Sequence, residues 1–184
     1  MRYTLLLDMD GPLASFDSAG YEMCDRLNLD VLVPRMERTA RYFTDHLSHE
    51  HRAVARAEIE TPGWFRSLPV VEGAKEGVAE LIASGIDVWV CTKPLEKNPT
   101  CRDEKAAWLA EHFPRLERKL IITPDKSLIH GAVLLDDAPK IEWLARASWL
   151  PVIFPEPFNG PGSEWGGLPR WTWGDPINHL CAEF

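Results

Sequence analysis

Two pairs of carboxylates stand where they could act as a set. Asp8-Met9-Asp10-Gly11 directly follows the apolar run Tyr3–Leu7, and Asp136-Asp137 directly follows Ala132–Leu135. Thr92-Lys93 closes a third run, Ile86–Cys91, and Lys126 comes within a few residues of a fourth, Leu120–Thr123. Clustered carboxylates with oxygen-only donors suit Mg²⁺, which takes one or two carboxylates and fills its other positions with water and substrate phosphate. A carboxylate can also attack a phosphoryl group to form an aspartyl-phosphate, splitting one hard displacement into two. The remaining parts of such a reaction are present. Lysines and a cation neutralise the transferred group, a hydroxyl holds one of its oxygens, and a second aspartate protonates the leaving alkoxide and later activates water.

These residues meet only if the strands carrying them lie side by side. The four runs, with a fifth at Pro151–Phe154, are continuous rather than alternating, the pattern of strands buried on both faces of a parallel sheet. Helical stretches separate them. Ala74–Ser84 turns Val78, Leu81 and Ile82 inward with Gly85 as its stop; Arg102–Phe113 puts Ala106, Leu109 and Phe113 on one face; Ala138–Ala147 does the same with Ile141, Leu144 and Ala145. Strand–helix–strand alternation implies right-handed βαβ units and an open, Rossmann-like α/β sheet of three layers. In such sheets ligands bind beyond the carboxyl ends of the strands, and every residue named above falls there.

Between the first strand and Ala74 the chain is far too long for a simple crossover. Phe16, Ala19, Met23 and Leu27 share a helical face, and Ser48–Glu60 reads as a polar, alanine-rich helix stopped by Pro62-Gly63. The expected organisation is a core of residues 1–16 and 71–184 with a small helical cap, 17–70, inserted after the first strand. The segment 155–176 is rich in proline, glycine and tryptophan, too aromatic for a linker. It reads as an ordered loop packed on the body, followed by a short helix to the end. Its tryptophans, taken as exposed, would serve a homodimer contact.

Composition narrows the partners. In 184 residues, 45% are hydrophobic, enough for a real core, and the net charge is −8. No Lys/Arg block marks a groove for a nucleic-acid polymer, and a bound cation would be the local device that admits an anionic substrate to an acidic protein. No run approaches the roughly 18 apolar residues of a membrane span, and the N-terminus does not read as a signal peptide. Cys24, Cys91, Cys101 and Cys181 form no CxxC pair and read as buried free thiols, which suits a reducing, cytoplasmic setting.

Asp8-Met9-Asp10-Gly11, Thr92, Lys126 and Asp136-Asp137 resemble, in order, the four motifs of the haloacid dehalogenase-like phosphatase superfamily. Within it the chain is most similar to the 5′(3′)-deoxyribonucleotidase family, through 8–16 (DMDGPLASF), 62–74 (PGWFRSLPVVEGA), 90–94 (VCTKP), 104–108 (EKAAW), 123–137 (TPDKSLIHGAVLLDD) and the closing WTWGDP. The resemblance implies strand one at the sheet's centre, Asp8 as nucleophile and Asp10 as general acid/base. It implies Mg²⁺ on Asp8, the Asp10 carbonyl and Asp137, with Asp136 steering Lys126. Thr92, Lys105 and Lys126 would bind phosphate, Phe16 would line the sugar and base pocket, and Tyr42, Phe43 and Thr44 of the cap would close over the base. The implied function is hydrolysis of nucleoside monophosphates, deoxyribonucleotides foremost. A phosphatase of the superfamily acting on another small ester, such as a sugar phosphate, and a non-catalytic nucleotide-binding member are the alternatives. The chain departs from the family at Lys93, where a serine is usual, and at Pro124 and Ala138, where relatives often carry arginine.

Some residues keep two readings. Lys105, in Asp103-Glu104-Lys105, is either a phosphate contact or part of a solvated helix face. Lys93 points into the site or away from it. Trp64 and Phe65 read as packing residues before base contacts. His46, His49 and His51 lack a further ligand at zinc spacing, so a polar face is expected of them.

Overall fold

Leu5, Leu6 and Leu7 are all buried, but on opposite sides: Leu5 and Leu7 join the larger hydrophobic cluster and Leu6 the smaller. This is how a central strand with both faces covered is built. The computed structural model describes residues 3–181, with only the backbone of Cys181, so the thiol expected there lies outside the described residues.

Five strands, β1 (Thr4–Leu7), β2 (Asp87–Thr92), β3 (Leu120–Ile122), β4 (Val133–Asp136) and β5 (Leu150–Ile153), form one parallel sheet in the order β3-β2-β1-β4-β5. The helices in chain order are α1 (Phe16–Arg26), α2 (His49–Ile59), α3 (Ala74–Ala83), α4 (Cys101–His112), α5 (Ile141–Leu144) and α6 (Ile177–Cys181). From β1 the chain moves outward to β2 and β3, then returns to β4 and moves outward the other way. Right-handed crossovers therefore place α3 and α4 on one face and α5 on the other. Ala74, Val78, Leu81, Trp108 and Leu109 accordingly pack with Leu5, Leu7, Val88 and Val90, while Trp143 and Trp149 cover Leu6 and Leu134. This is the expected three-layer α/β fold with strand one central. The reversal between β1 and β4 opens the crevice in which such sheets bind ligands.

Between β1 and α3 lie α1, short 3-10 turns at Arg35–Glu37 and Phe43–His46, and α2. Ser48 caps α2 by accepting from the His51 N–H, and Gly85 ends the α3 region with φ +85°, a conformation that favours glycine. Two histidines of this region are structural and the third, His49, is exposed: His46 Nε2 accepts from Ala40 N at 3.0 Å, and His51 Nδ1 accepts from Asp30 N at 2.7 Å.

Three expectations are corrected. The faces named as inward on two helices are not the buried ones throughout: Ala106, Ile141 and Ala145 are exposed, and α4 buries Trp108 with Leu109 while α5 buries Trp143. The helix predicted over Ala138–Ala147 covers only Ile141–Leu144. Pro139 disfavours helical geometry at Ala138, whose N–H is instead taken by Asp136 Oδ1 at 2.8 Å. The tryptophans of the C-terminal segment are not exposed as expected: Trp165 and Trp171 are buried and Trp173 is half-buried. Their indole N–H groups fasten loops within the chain, Trp173 to the Pro12 carbonyl (2.7 Å) and Trp165 to that of Pro139 (2.8 Å). An indole brings a large apolar body and one donor, so buried tryptophans usually find an acceptor.

Candidate active site

Register brings the acidic pairs together. Leu7 pairs with Leu135, and the Asp8 N–H donates to the Leu135 carbonyl at 2.9 Å, so the chain leaves β1 and β4 side by side. Carboxylate oxygens of Asp8, Asp136 and Asp137 lie within 4.8 Å of one another. Lys126 Nζ stands between two of them, 2.7 Å from Asp8 Oδ1 and 2.7 Å from Asp136 Oδ2. The lysine loop is held from behind by Trp149, whose indole donates to the Lys126 carbonyl at 3.0 Å.

A second cation lies on the other side of Asp8. Lys105, on α4, is 0% exposed, which removes the solvated-face reading. Its Nζ is 2.6 Å from Asp10 Oδ2, 2.8 Å from Thr92 Oγ1 and 3.0 Å from the Lys93 carbonyl, with the Phe65 ring 5.0 Å away. Asp10 Oδ1 is buried without a protein partner. Lys93 itself is exposed; its main-chain carbonyl meets this cluster, and partial burial with the charges of Lys140, Arg41 and Lys126 holds its ammonium below the usual lysine range.

The loop joining Asp8 to α1 is tight. Leu13 N and Ala14 N both donate to the Met9 carbonyl, and Gly11 N donates to that of Ala14. Gly11 has φ +96°, and a Cβ there would come within 3.0 Å of Asp137 Cγ. Only glycine gives both that turn and that approach.

Electrostatics follow from this crowding. Burial pushes the Asp8 carboxyl up to about 6; Lys126 opposes the shift, and the charges of Asp136 and Asp10 add to it. Asp137 is raised well above the carboxylate range, first by burial and then by Asp136 and Asp8. Burial alone would raise Asp136 too, but Lys126 and the Ala138 N–H hold it below its ordinary value. Lys126 is raised despite burial, because Asp136 and Asp8 flank it. Asp136 thus spends both oxygens inside the protein, on Lys126 and on Ala138. The Asp137 carboxylate receives no hydrogen bond from the described residues. A pair of carboxylates from Asp8 and Asp137, raised chiefly by burial and further by the charge of Asp136, is a donor set that fits a hard divalent metal.

The aromatic candidates sit beside this centre. Phe16 is half-buried and meets Phe43 (ring centroids 6.2 Å), Trp64 (5.7 Å, edge-on) and Phe65 (6.1 Å). Trp64 and Phe65 are buried packing residues. Of the three cap residues named from sequence, Phe43 and Thr44 are buried, Phe43 against Gly20, while Tyr42 is 58% exposed.

Several supporting residues escaped the sequence reading. Glu104 takes the N–H groups of Gly63 (2.6 Å), Phe65 (3.0 Å) and Arg66 (3.3 Å), tying the 62–66 turn to α4 beside Lys105. Burial would raise its carboxyl, but these bonds with that of the Thr100 hydroxyl hold it below the usual range. Asn159, fully buried, donates to the Asp137 and Phe154 carbonyls, both at 2.8 Å. A Pro-Gly turn without its own acceptor was the one visible signal for Glu104; nothing in the sequence pointed to Asn159.

Comparison with known proteins agrees with this arrangement. Residues 2–161 match the family model described as 5′ nucleotidase, deoxy (Pyrimidine), cytosolic type C protein. A Bordetella pertussis protein named "Putative 5′(3′)-deoxyribonucleotidase" is 36% identical over 181 residues, covering 97% of this chain and 96% of that one. The human "5′(3′)-deoxyribonucleotidase, cytosolic type" is 29% identical over 164 residues, covering 82% of this chain and 78% of the human one. Among solved structures, a haloacid dehalogenase family hydrolase from Deinococcus radiodurans, crystallised with phosphate and sodium, superposes with a TM-score of 0.62 at 15% identity over 99% of this chain and 96% of its own, a likeness of fold. On the family match and the near full-length relative, this chain belongs to the 5′(3′)-deoxyribonucleotidase family of haloacid dehalogenase-like hydrolases, a family of phosphoric monoester hydrolases.

Proposed function

We propose that the chain hydrolyses nucleoside monophosphates, deoxyribonucleotides foremost, through an aspartyl-phosphate on Asp8. The observation that carries this reading is the pair of buried lysines flanking Asp8, Lys126 against Asp8 and Asp136 and Lys105 against Asp10 and Thr92. Two fixed cations and a hydroxyl around a carboxylate make a receptor for a phosphoryl group, whose negative oxygens they would take over. Asp8 attacks phosphorus while the ester P–O bond breaks and Asp10 delivers a proton to the leaving oxygen. In the second step Asp10 takes a proton from water, which attacks the phosphoaspartate and restores Asp8. Mg²⁺, held by Asp8, Asp137 and the Asp10 carbonyl, supplies charge neutralisation of the phosphoryl oxygens when bound.

Residues 17–70 serve as the cap, with Phe16 and Tyr42 toward the nucleoside. The names of the bacterial and human relatives support the nucleotide substrate, and the cytosolic-type relative supports a cytoplasmic setting. Among the described residues no helix is long and apolar enough to cross a membrane.

The test is phosphate release from nucleoside 5′- and 3′-monophosphates and sugar phosphates, with Mg²⁺ or with EDTA, alongside Asp8→Asn. Turnover of deoxynucleotides that needs the metal and vanishes in the variant is expected. Turnover confined to sugar phosphates would sink the nucleotide reading while leaving the mechanism in place.

A further inference from the structure

Arg38 is 1% exposed, yet it belongs to an irregular stretch of the inserted region rather than to the core. Its Nη1 donates to the carbonyls of Ala40 (2.9 Å) and Arg41, and its Nη2 pairs with Asp17 in the first turn of α1. Across the crevice, Nη2 faces Glu156 at 3.9 Å and the guanidinium lies 4.4 Å over the Phe158 ring. One planar cation therefore joins three pieces of chain: the 38–41 loop, the start of α1 beside Phe16, and the loop after β5. A guanidinium can be buried only where its fork is met on several sides, and a lysine cannot reproduce that fork.

Each of the three pieces reaches the phosphoryl site. Asn159, next to Phe158, holds the Asp137 carbonyl and is itself fixed by Arg170, through Oδ1 at 2.6 Å and its main-chain carbonyl at 2.8 Å. Phe16 meets Phe43. Arg41, whose own carbonyl Arg38 grips, projects a charge felt by Asp136 and Asp137, and its guanidinium lies 5.5 Å over the exposed Tyr42 ring. The Arg41–Tyr42 pair is thus an outward-facing cation and aromatic beside the catalytic acids, on a loop whose main chain is clamped from below.

We propose that Arg38 is a positioning residue for substrate selection: by gripping the Ala40 and Arg41 carbonyls against Asp17, Glu156 and Phe158, it holds Arg41 and Tyr42 where a nucleoside must pass. This rests on the nucleotidase reading. Arg38 does not touch the reacting atoms, so its loss acts on recognition of the nucleoside rather than on phosphoryl transfer.

The experiment compares KM and kcat for a deoxynucleoside 5′-monophosphate and for p-nitrophenyl phosphate, which lacks a nucleoside. For Arg38→Met, KM for the nucleotide is expected to rise about tenfold or more while kcat/KM for the small ester stays within about threefold; Arg38→Lys restores little. The double variant Arg41→Ala, Tyr42→Ala reproduces the rise in nucleotide KM with an unchanged Tm. It decides the matter if Arg38→Met does not fold, because an unchanged nucleotide KM in the double variant overturns the proposal. A parallel fall for both substrates in Arg38→Met, tracking a loss of Tm, would also overturn it, leaving Arg38 as a support of the fold. If the unmodified protein shows no preference for the nucleotide over the small ester, the nucleotidase reading itself fails and this proposal with it.

Discussion

Lys105 Nζ lies 2.6 Å from Asp10 Oδ2, although the two residues are 95 positions apart in the chain. The same nitrogen is 2.8 Å from Thr92 Oγ1 and has no exposure to solvent. One buried ammonium thus spans the proposed acid/base and the proposed phosphate-binding hydroxyl, leaving the other Asp10 oxygen buried and unpartnered. An arriving phosphoryl oxygen would share Lys105, and the Asp10 carboxyl would be free to face the leaving oxygen.

Replacing Lys105 with Met is expected to lower kcat/KM by about 10²–10³-fold, the usual effect of removing one fixed donor from a developing anion. Arg is not expected to rescue, because the site is closed around Nζ and a larger fork would displace Thr92 or Phe65. Steady-state kinetics with Mg²⁺ present reads this directly. Activity within a few-fold of the unmodified protein would return Lys105 to a purely structural role.

The acidic cluster predicts a pH-dependent metal affinity. Burial raises Asp8 to about 6, and Asp137 is also raised. A proton on either carboxyl competes with the cation, so affinity for Mg²⁺ should increase with pH and level off once both are ionised. On the acid side of pH 6 it should fall by at least about tenfold per pH unit. Calorimetric titration of the metal-free protein from pH 5 to pH 8 measures it; a flat profile would place the metal elsewhere.

Gly11→Ala tests the contact between the first loop and Asp137. Its φ of +96° and the 3.0 Å approach of a Cβ to Asp137 Cγ mean that the side chain strains the turn and pushes the carboxylate together. Displacing a metal ligand through its surroundings typically costs about 10–100-fold in affinity. The expected result is that loss in Mg²⁺ binding with a modest drop in Tm. Unaltered affinity in a destabilised protein would show that Asp137 moves aside without consequence.

Asp8, Asp10, Thr92, Lys126, Asp136 and Asp137 were legible from sequence because each lies at, or within a few residues of, the carboxyl end of a strand. Once five apolar runs make a parallel sheet, adjacency in the chain puts those residues at one edge. The strand positions, the βαβ order and the helices before β2 and β3 were legible for the same reason: apolar periodicity and glycine stops are local signals. Where the reading went astray, the causes differ. The helix predicted from Ala138 was stopped locally, by Pro139 and by the bond from the Ala138 N–H to Asp136, whereas the C-terminal tryptophans turned inward to carbonyls of loops far away in sequence.

The sequence by itself determined the α/β class and the acids and hydroxyl gathered at one edge of the sheet, since these follow from which residue types adjoin which strand; the central place of β1 was implied only by the family resemblance. Only the tertiary structure decided that Lys105 faces Asp10, that Glu104 gathers three backbone N–H groups, and that Arg38 clamps the inserted loop against Glu156 and Phe158. Their partners come from distant segments. Whether a charged side chain is solvated or buried in an ion pair depends on what packs over it, and that is not written in its own neighbours along the chain.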